Sequence, residues 1–518
     1  MVYDKETAEK QHFHWGLVKV LFLHSPAVFT ALSADVLINV IKFLRPCDII
    51  SVRQTCKTLL LITKLRTVWM NALRKVMLDR LITEDTYPLS TMSLHMLEHA
   101  ALSPHRFISL MKRSDEHRLE PTSIRVLSPR LTNNEKAIHG ISSSGSLGDM
   151  FLAPGGRYLA TLAHCVDNIS SLLTIWDLGL SGHDGIKAIA RLVQPMVYIS
   201  MVNFYPDLKK RGIFHLVLRR NTISAQGIHV MVDVHTVTVS PSLSEFTSVA
   251  EAKIPSVRPA DIDDVFVYPD LNRLIIRTDD HSHNNFLLWD FIGDMTASWI
   301  ALDCPVTPDL KFFCYDDSLM VALKDKVLIY NIPPLIFDKS ELVPTYFRPS
   351  MSLSSLIPDF NSCYISQYSW PISHVPQYIC AVDTDEVVVH EIKNNRNVHD
   401  TTIPNKLPIF AGSAQVLNDD SHFEEDIYDK FVLDQSDGHV FIGCVNSEAA
   451  DFAIFTFEVV NSPRREHNFK LTKTYMCHDS TLGIDCQQFC PSMGRVCLLT
   501  DEKHELHVLD YLVPPDRE

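Results

Sequence analysis

Phe151-Leu152-Ala153-Pro154-Gly155-Gly156-Arg157-Tyr158-Leu159-Ala160-Thr161-Leu162, followed by Leu172-Leu173-Thr174-Ile175-Trp176-Asp177-Leu178, is the stretch on which the fold turns. Its apolar and β-branched residues come in short blocks, broken first by a Pro-Gly-Gly turn and then by a polar loop. That order is strand, tight turn, strand, loop and third strand. It returns as Val265-Phe266-Val267-Tyr268-Pro269-Asp270, Leu274-Ile275-Ile276-Arg277 and Phe286-Leu287-Leu288-Trp289-Asp290. Five eroded copies begin near Val202, Phe312, Tyr368, Phe431 and Phe489. Their closing strands run Ile228 to Val234, Val327 to Tyr330, Val387 to Ile392, Phe452 to Val459 and Leu506 to Leu512.

Units recurring at roughly 45–65 residues predict a β-propeller, in which each four-stranded blade packs only on its neighbours around a channel. The expectation is about seven blades over residues 121–518, with six or eight blades, or a pair of β-sandwiches, as the alternatives. The last unit stops after three strands. Ser123-Ile124-Arg125-Val126-Leu127, just before the first unit, can supply the fourth and hide the open edge. The units resemble WD-repeat blades, strongly at Trp176-Asp177 and Trp289-Asp290 and loosely elsewhere. The Gly-His dipeptide of that family is missing, so the resemblance is to a degenerate propeller, in which these Trp-Asp pairs are structural.

Upstream of about residue 113 the apolar period changes to that of helices. Ser33 is placed to cap a helix whose apolar face is Val36, Leu37, Val40, Ile41 and Leu44; Pro46 stops it, and Asp48 caps a second helix with Ile49, Ile50 and Val52. Thr55 to Lys64 and Val68 to Ile82 suggest two more, with Trp69 and Leu73 facing inward. Each is too short to stand alone, so the group must pack together or onto a partner. Two further helical stretches lie between about residues 88 and 113, the second started by Pro104, and read as a stiff spacer. The expected organisation is an N-terminal extension (1–29), a small all-α unit (30–75), a helical linker (76–120) and an all-β propeller.

Leu32-Ser33-Ala34-Asp35-Val36-Leu37, Ile41, Phe43-Leu44, Cys47-Asp48-Ile49-Ile50, Val52-Arg53, Cys56-Lys57 and Trp69 together resemble the F-box consensus, with Ser33 where that family usually has proline. Fungal F-box proteins of similar layout also resemble the chain at the helical pair between about residues 88 and 113. A plain helical bundle capping the propeller is the alternative. The resemblance implies a receptor subunit of an SCF-type ubiquitin ligase, itself without catalytic residues. The box would bind a Skp-family adaptor, which bridges to cullin and a RING subunit, and the propeller would hold the protein substrate. The adaptor-facing residues it implies are Leu32, Asp35, Val36, Leu37, Ile41, Leu44, Ile49 and Val52; which face the partner and which the box's own core stays open. A propeller scaffold outside any ligase is the other function class.

Composition is that of an ordinary globular protein and narrows the partners. A formal net charge of −15 repels phosphate backbones and anionic lipid, so nucleic acid and membrane are poor partners. The basic clusters Lys209-Lys210-Arg211 and Arg219-Arg220 read as solvated strand ends. The 12 cysteines form no C-x-x-C pair, and several sit in apolar runs (Cys165, Cys380, Cys444, Cys497), which favours cytosol or nucleus. Leu17 to Leu23 is interrupted by Lys19 and lacks a cleavage site, so it is not read as a signal peptide. No H-E-x-x-H, P-loop, G-x-G-x-x-G or G-x-S-x-G occurs, and no cofactor or metal is expected. The densest ligand-like cluster, Cys477-His478 with Cys486 and Cys490, has loose spacing and a cysteine inside a strand. His281 and His283 read as a solvated turn, and the acidic run Asp419 to Asp426 as an exposed loop, with Ser421 a candidate for phosphorylation.

Overall fold

The computed structural model describes residues 32–113 and, between 118 and 514, the strands and most tight turns. Residues 1–31, 254–263, 355–361, 366–376, 395–405, 416–427, 459–470 and 515–518, with several shorter loops, lie outside the described residues. Among the described residues five helices come first: α1 (Ala34–Ile41), α2 (Pro46–Arg53), α3 (Lys57–Thr63), α4 (Arg66–Asp79) and α5 (Leu94–Arg113). Seven sheets follow, six of four strands and one of five.

The innermost strands are Ser146–Leu152, Tyr198–Pro206, Asp264–Tyr268, Lys311–Tyr315, Ser362–Ile365, Tyr428–Ser436 and Ile484–Cys490. Each touches the next and the seventh touches the first, so the chain closes into a seven-bladed β-propeller. The blades cohere through apolar layers between adjacent sheets. Between the first two, Tyr158, Leu162 and Leu173 meet Phe204, Phe214 and Leu216, and the Tyr158 and Phe214 rings lie edge to face at 5.1 Å. Every one of those side chains is at most 3% exposed, and each such burial contributes about 1.5–3 kcal/mol.

Ser123–Leu127 does complete the last blade. It pairs antiparallel with Leu506–Asp510, from Ser123 opposite Asp510 to Leu127 opposite Leu506. The closing strands of the eroded units are each the third strand of a blade. Tyr368, near which the fifth unit was expected to begin, lies outside the described residues, and the innermost strand of that blade is Ser362–Ile365.

Five details correct or add to the sequence reading. The helix over Leu94–Arg113 is continuous through Pro104. A proline inside a helix forfeits one hydrogen bond and costs about 3 kcal/mol; here burial of Leu97, Ala101, Phe107, Ile108 and Met111 along the same helix offsets it. Nor is α5 a free spacer: Phe107 packs against Phe441 and Tyr511 of the sixth and seventh blades. Pro46 opens α2 at its first turn rather than closing α1, and Asp48 sits inside that turn, bonded to Arg45 at 3.0 Å. Arg220 is not a solvated strand end, because Asp233 and Glu251 both pair with it. The fifth strand of the third blade, Thr345–Phe347, had no counterpart in the sequence reading and runs parallel to Met295–Ala301.

The helices rest on one side of the ring. Ile82 and Thr86 fill the space above Gly155, where a Cβ would come within 2.8 and 2.6 Å of their methyl groups. Gly155 also has φ +87°, in the region L-residues avoid. Gly155→Ala should therefore cost more than the ~1 kcal/mol typical of point substitutions, lowering the midpoint of chemical unfolding measured by circular dichroism.

Candidate functional site

The helical unit folds around a small apolar centre. Leu37 and Ile41, four residues apart on α1, meet Ile49 of α2, Leu59 and Ile62 of α3, and Val68, Trp69, Ala72 and Leu73 of α4. Ser33 stands at the start of α1 with an extended backbone, but its side chain makes no capping bond. The polar centre of the unit is Arg53. Its guanidinium takes both oxygens of Glu98 on α5, at 2.8 and 2.9 Å, donates to the Thr63 carbonyl and lies 5.3 Å from the Trp69 ring. Trp69 Nε1 donates to the same Thr63 carbonyl at 2.8 Å. Sequence reasoning quoted Arg53 only as part of a motif and missed Glu98. The available signal was a guanidinium closing a helix that carries Ile49 and Val52.

The eight residues singled out in the sequence divide into three groups. Leu37, Ile41 and Ile49 are at most 1% exposed and belong to the unit's own core. Leu44 and Val52 are half-buried and lean on that core. Leu32 and Val36 are 37% and 44% exposed, and Asp35 beside them also faces solvent. Phe43, which the sequence reading did not select, is also exposed; Leu32 lies just before α1, Val36 on it and Phe43 just beyond its end. Leu61, Leu65 and Leu78 extend the exposed apolar surface of the unit. Six of the sixteen large exposed apolar side chains among the described residues therefore fall between 32 and 78.

The residues of the Trp-Asp signature hold strands together. Trp176 Nε1 donates to Thr161 Oγ1 at 2.8 Å, and Asp177 takes two bonds from Arg157. Trp289 donates to Asp294, and Asp290 accepts from the Gly293 amide and faces Arg273 at 3.9 Å. The same Arg–Asp device recurs without its tryptophan at Arg495 and Asp510, 2.6 Å apart and fully buried.

Of the cysteine cluster, Cys477 and His478 lie outside the described residues. Cys490 is buried with its sulfur 3.0 Å from Ser492 Oγ, and Cys486 is half-buried in the core. His283 is held by Ser282 and packs edge-on against Tyr346; His281 and the run Asp419 to Asp426, with Ser421, lie outside the described residues.

His99 on α5 accepts from Arg106 through Nδ1 at 3.0 Å. Burial, aided by the Arg106 charge, lowers its pKa to about 4. The unfolded ring takes up a proton first, so stability is full above about pH 6.5 and is lost as pH falls toward 4. Chemical unfolding of the full chain followed against pH should show this loss, and His99→Gln should flatten it.

The F-box domain family matches residues 29–71. This helical unit is an F-box. The chain thus joins an F-box to a seven-bladed propeller, a pairing that fits an F-box substrate receptor, and both are typically interaction modules. No curated protein matches the chain. Among solved structures, the β-propeller domain of Cps50 (Swd1) from Myceliophteria thermophila is 7% identical, with 75% of this chain and 100% of that chain covered and a TM-score of 0.41. The WD40 domain of SCAP from fission yeast is 12% identical over 71% and 84% of the two chains, at 0.36. A chain of the polycomb repressive complex 2 of Chaetomium thermophilum is 9% identical over 76% and 98%, at 0.44. The architecture is carried by the closed ring of sheets rather than by these likenesses. Among the described residues no helix is long and apolar enough to cross a membrane.

Proposed function

We propose that this F-box protein is the substrate-recognition subunit of an SCF-type ubiquitin ligase, its F-box binding a Skp-family adaptor and its propeller binding the substrate protein. The observation that carries the reading is the exposed apolar row Leu32, Val36 and Phe43 above a complete core of Leu37, Ile41 and Ile49. A unit whose core is complete has no folding reason to keep further apolar side chains in water on and beside α1; a partner surface supplies one. Leu32, Asp35 and Val36 are then the adaptor contacts of the original eight. Leu37, Ile41 and Ile49 act indirectly, by holding α1 in place. Catalysis in such an assembly is by proximity: the receptor brings a substrate lysine to a thioester carried by another subunit.

Removing residues 30–75 is a poor test, because Trp69 and Leu73 share one apolar cluster with Leu152, Trp176 and Leu178 of the first blade. Deletion would bare that surface. Point substitution on the outer row avoids this. Purification of tagged full-length protein and of a Leu32→Ser/Val36→Asp variant should return a Skp-family adaptor with the first and not with the second. Propeller partners should be returned by both. An intact chain that returns propeller partners but no adaptor would favour a scaffold outside any ligase.

A further inference from the structure

We propose that Asp85 is a positioning residue that fixes the angle between F-box and propeller, and so the direction from which a bound substrate meets the ligase; the second half rests on the ligase reading above. The chain leaves α4 by an unusual turn. Ile82 N–H bonds the Met77 carbonyl at 2.9 Å and Leu81 N–H the Leu78 carbonyl at 3.5 Å, the two bonds of a Schellman ending. The left-handed position of that motif normally takes glycine, yet Leu81 occupies it at φ +54°. Such a conformation persists only where its surroundings enforce it. Here it aims residues 82–87 at the propeller.

Asp85 then grips two blades at once. Its backbone carbonyl accepts from Arg157 Nη1 at 2.9 Å and from the Tyr158 hydroxyl at 3.3 Å, both in the first blade. Its carboxylate accepts the Gly212 amide of the second blade at 2.5 Å. Arg157 is itself held by the two bonds it donates to Asp177, so the repeat's Asp anchors the helical region as well as its own blade. Glu84 adds an exposed ion pair to Arg211 at 2.8 Å. The other contacts between helices and ring include the apolar packing of Phe107 on Phe441 and Tyr511, with an exposed Lys112–Glu458 pair and a long Thr474 hydroxyl bond to the Met111 carbonyl at the sixth blade alone. Apolar contact holds surfaces together without directing them, whereas hydrogen bonds to two separate blades set an angle.

The test uses the full-length chain with a Skp-family adaptor, cullin, RING subunit, conjugating enzyme and ubiquitin, and maps which of the chain's own lysines are modified. Asp85→Ala should keep adaptor affinity within about twofold. It should speed hydrogen exchange of the Gly212 amide at least tenfold and redistribute modification over other lysines. Asp85→Asn keeps an acceptor oxygen and should preserve the wild-type lysine map. A purely stabilising role predicts equal loss at all lysines, and that result, or a wild-type map for Asp85→Ala with normal adaptor affinity, would overturn the proposal. Failure of the wild-type chain to bind adaptor would instead overturn the ligase reading, and the delivery role with it.

Discussion

Replacing Asp510 by alanine should destabilise the propeller by about 3–5 kcal/mol, the cost of breaking a buried ion pair and stranding its cation. Asp510 is the hub on which the ring closes. Its carboxylate takes Arg495 Nε at 2.6 Å and Arg125 Nη2 at 2.7 Å, and its carbonyl takes Thr122 N–H and Oγ1. Arg125 lies on the N-terminal strand that completes the seventh blade, and its other donors reach the Leu178 and Asp184 carbonyls of the first blade. Arg495, with its side chain wholly buried, also donates to the Gly156 and Gly179 carbonyls. Two guanidiniums would thus lose their counter-ion in the seam where the two ends of the propeller meet. Chemical unfolding monitored by tryptophan fluorescence measures the effect. Asp510→Asn, which keeps an acceptor at that site, should lose less, and equal stability of Asp510→Ala and wild type would contradict this account of closure.

Placing a carboxylate at Val36 should remove most adaptor affinity, by roughly 2–4 kcal/mol or about thirtyfold and more, because a charge buried without a partner adds its desolvation to the lost apolar contact. In the free protein the same change should cost little, since Val36 is 44% exposed and surface substitutions usually stay within about 0.5 kcal/mol. Leu37→Ala is the contrasting case. Leu37 is 0% exposed, so its truncation should cost about 2–5 kcal/mol of F-box stability. Any loss of adaptor binding would then follow from unfolding of the F-box. Thermal unfolding beside affinity separates the two kinds of residue.

Much of the architecture could be read from residue order because it is local. Each blade is a run of neighbouring antiparallel strands, so turn residues and apolar alternation announce it even where Trp-Asp has eroded to Leu509-Asp510. The closing strand was legible because a three-stranded last unit needs a fourth. What stayed hidden is non-local. Thr345–Phe347 is three residues long and returns from the fourth blade to the third, with no local pattern to mark its pairing. Arg53 meets Glu98 across 45 positions. In the F-box the sequence supplied the apolar residues but not their sides, since adjacent apolar residues such as Val36 and Leu37 give no single direction for the core. Burial separates them: Leu37 and Ile41 inward, Leu32 and Val36 outward. Pro104 misled because burial, which a local pattern does not reveal, overrode a helix-breaking residue.

The most direct test of the central claim is the dissociation constant of the full-length chain for a recombinant Skp-family adaptor, measured by calorimetry for wild type and for Leu32→Ser/Val36→Asp. Wild type should bind tightly and the variant about thirtyfold or more weakly, with coincident unfolding curves for the two proteins. Undiminished adaptor binding by the folded variant would contradict the claim.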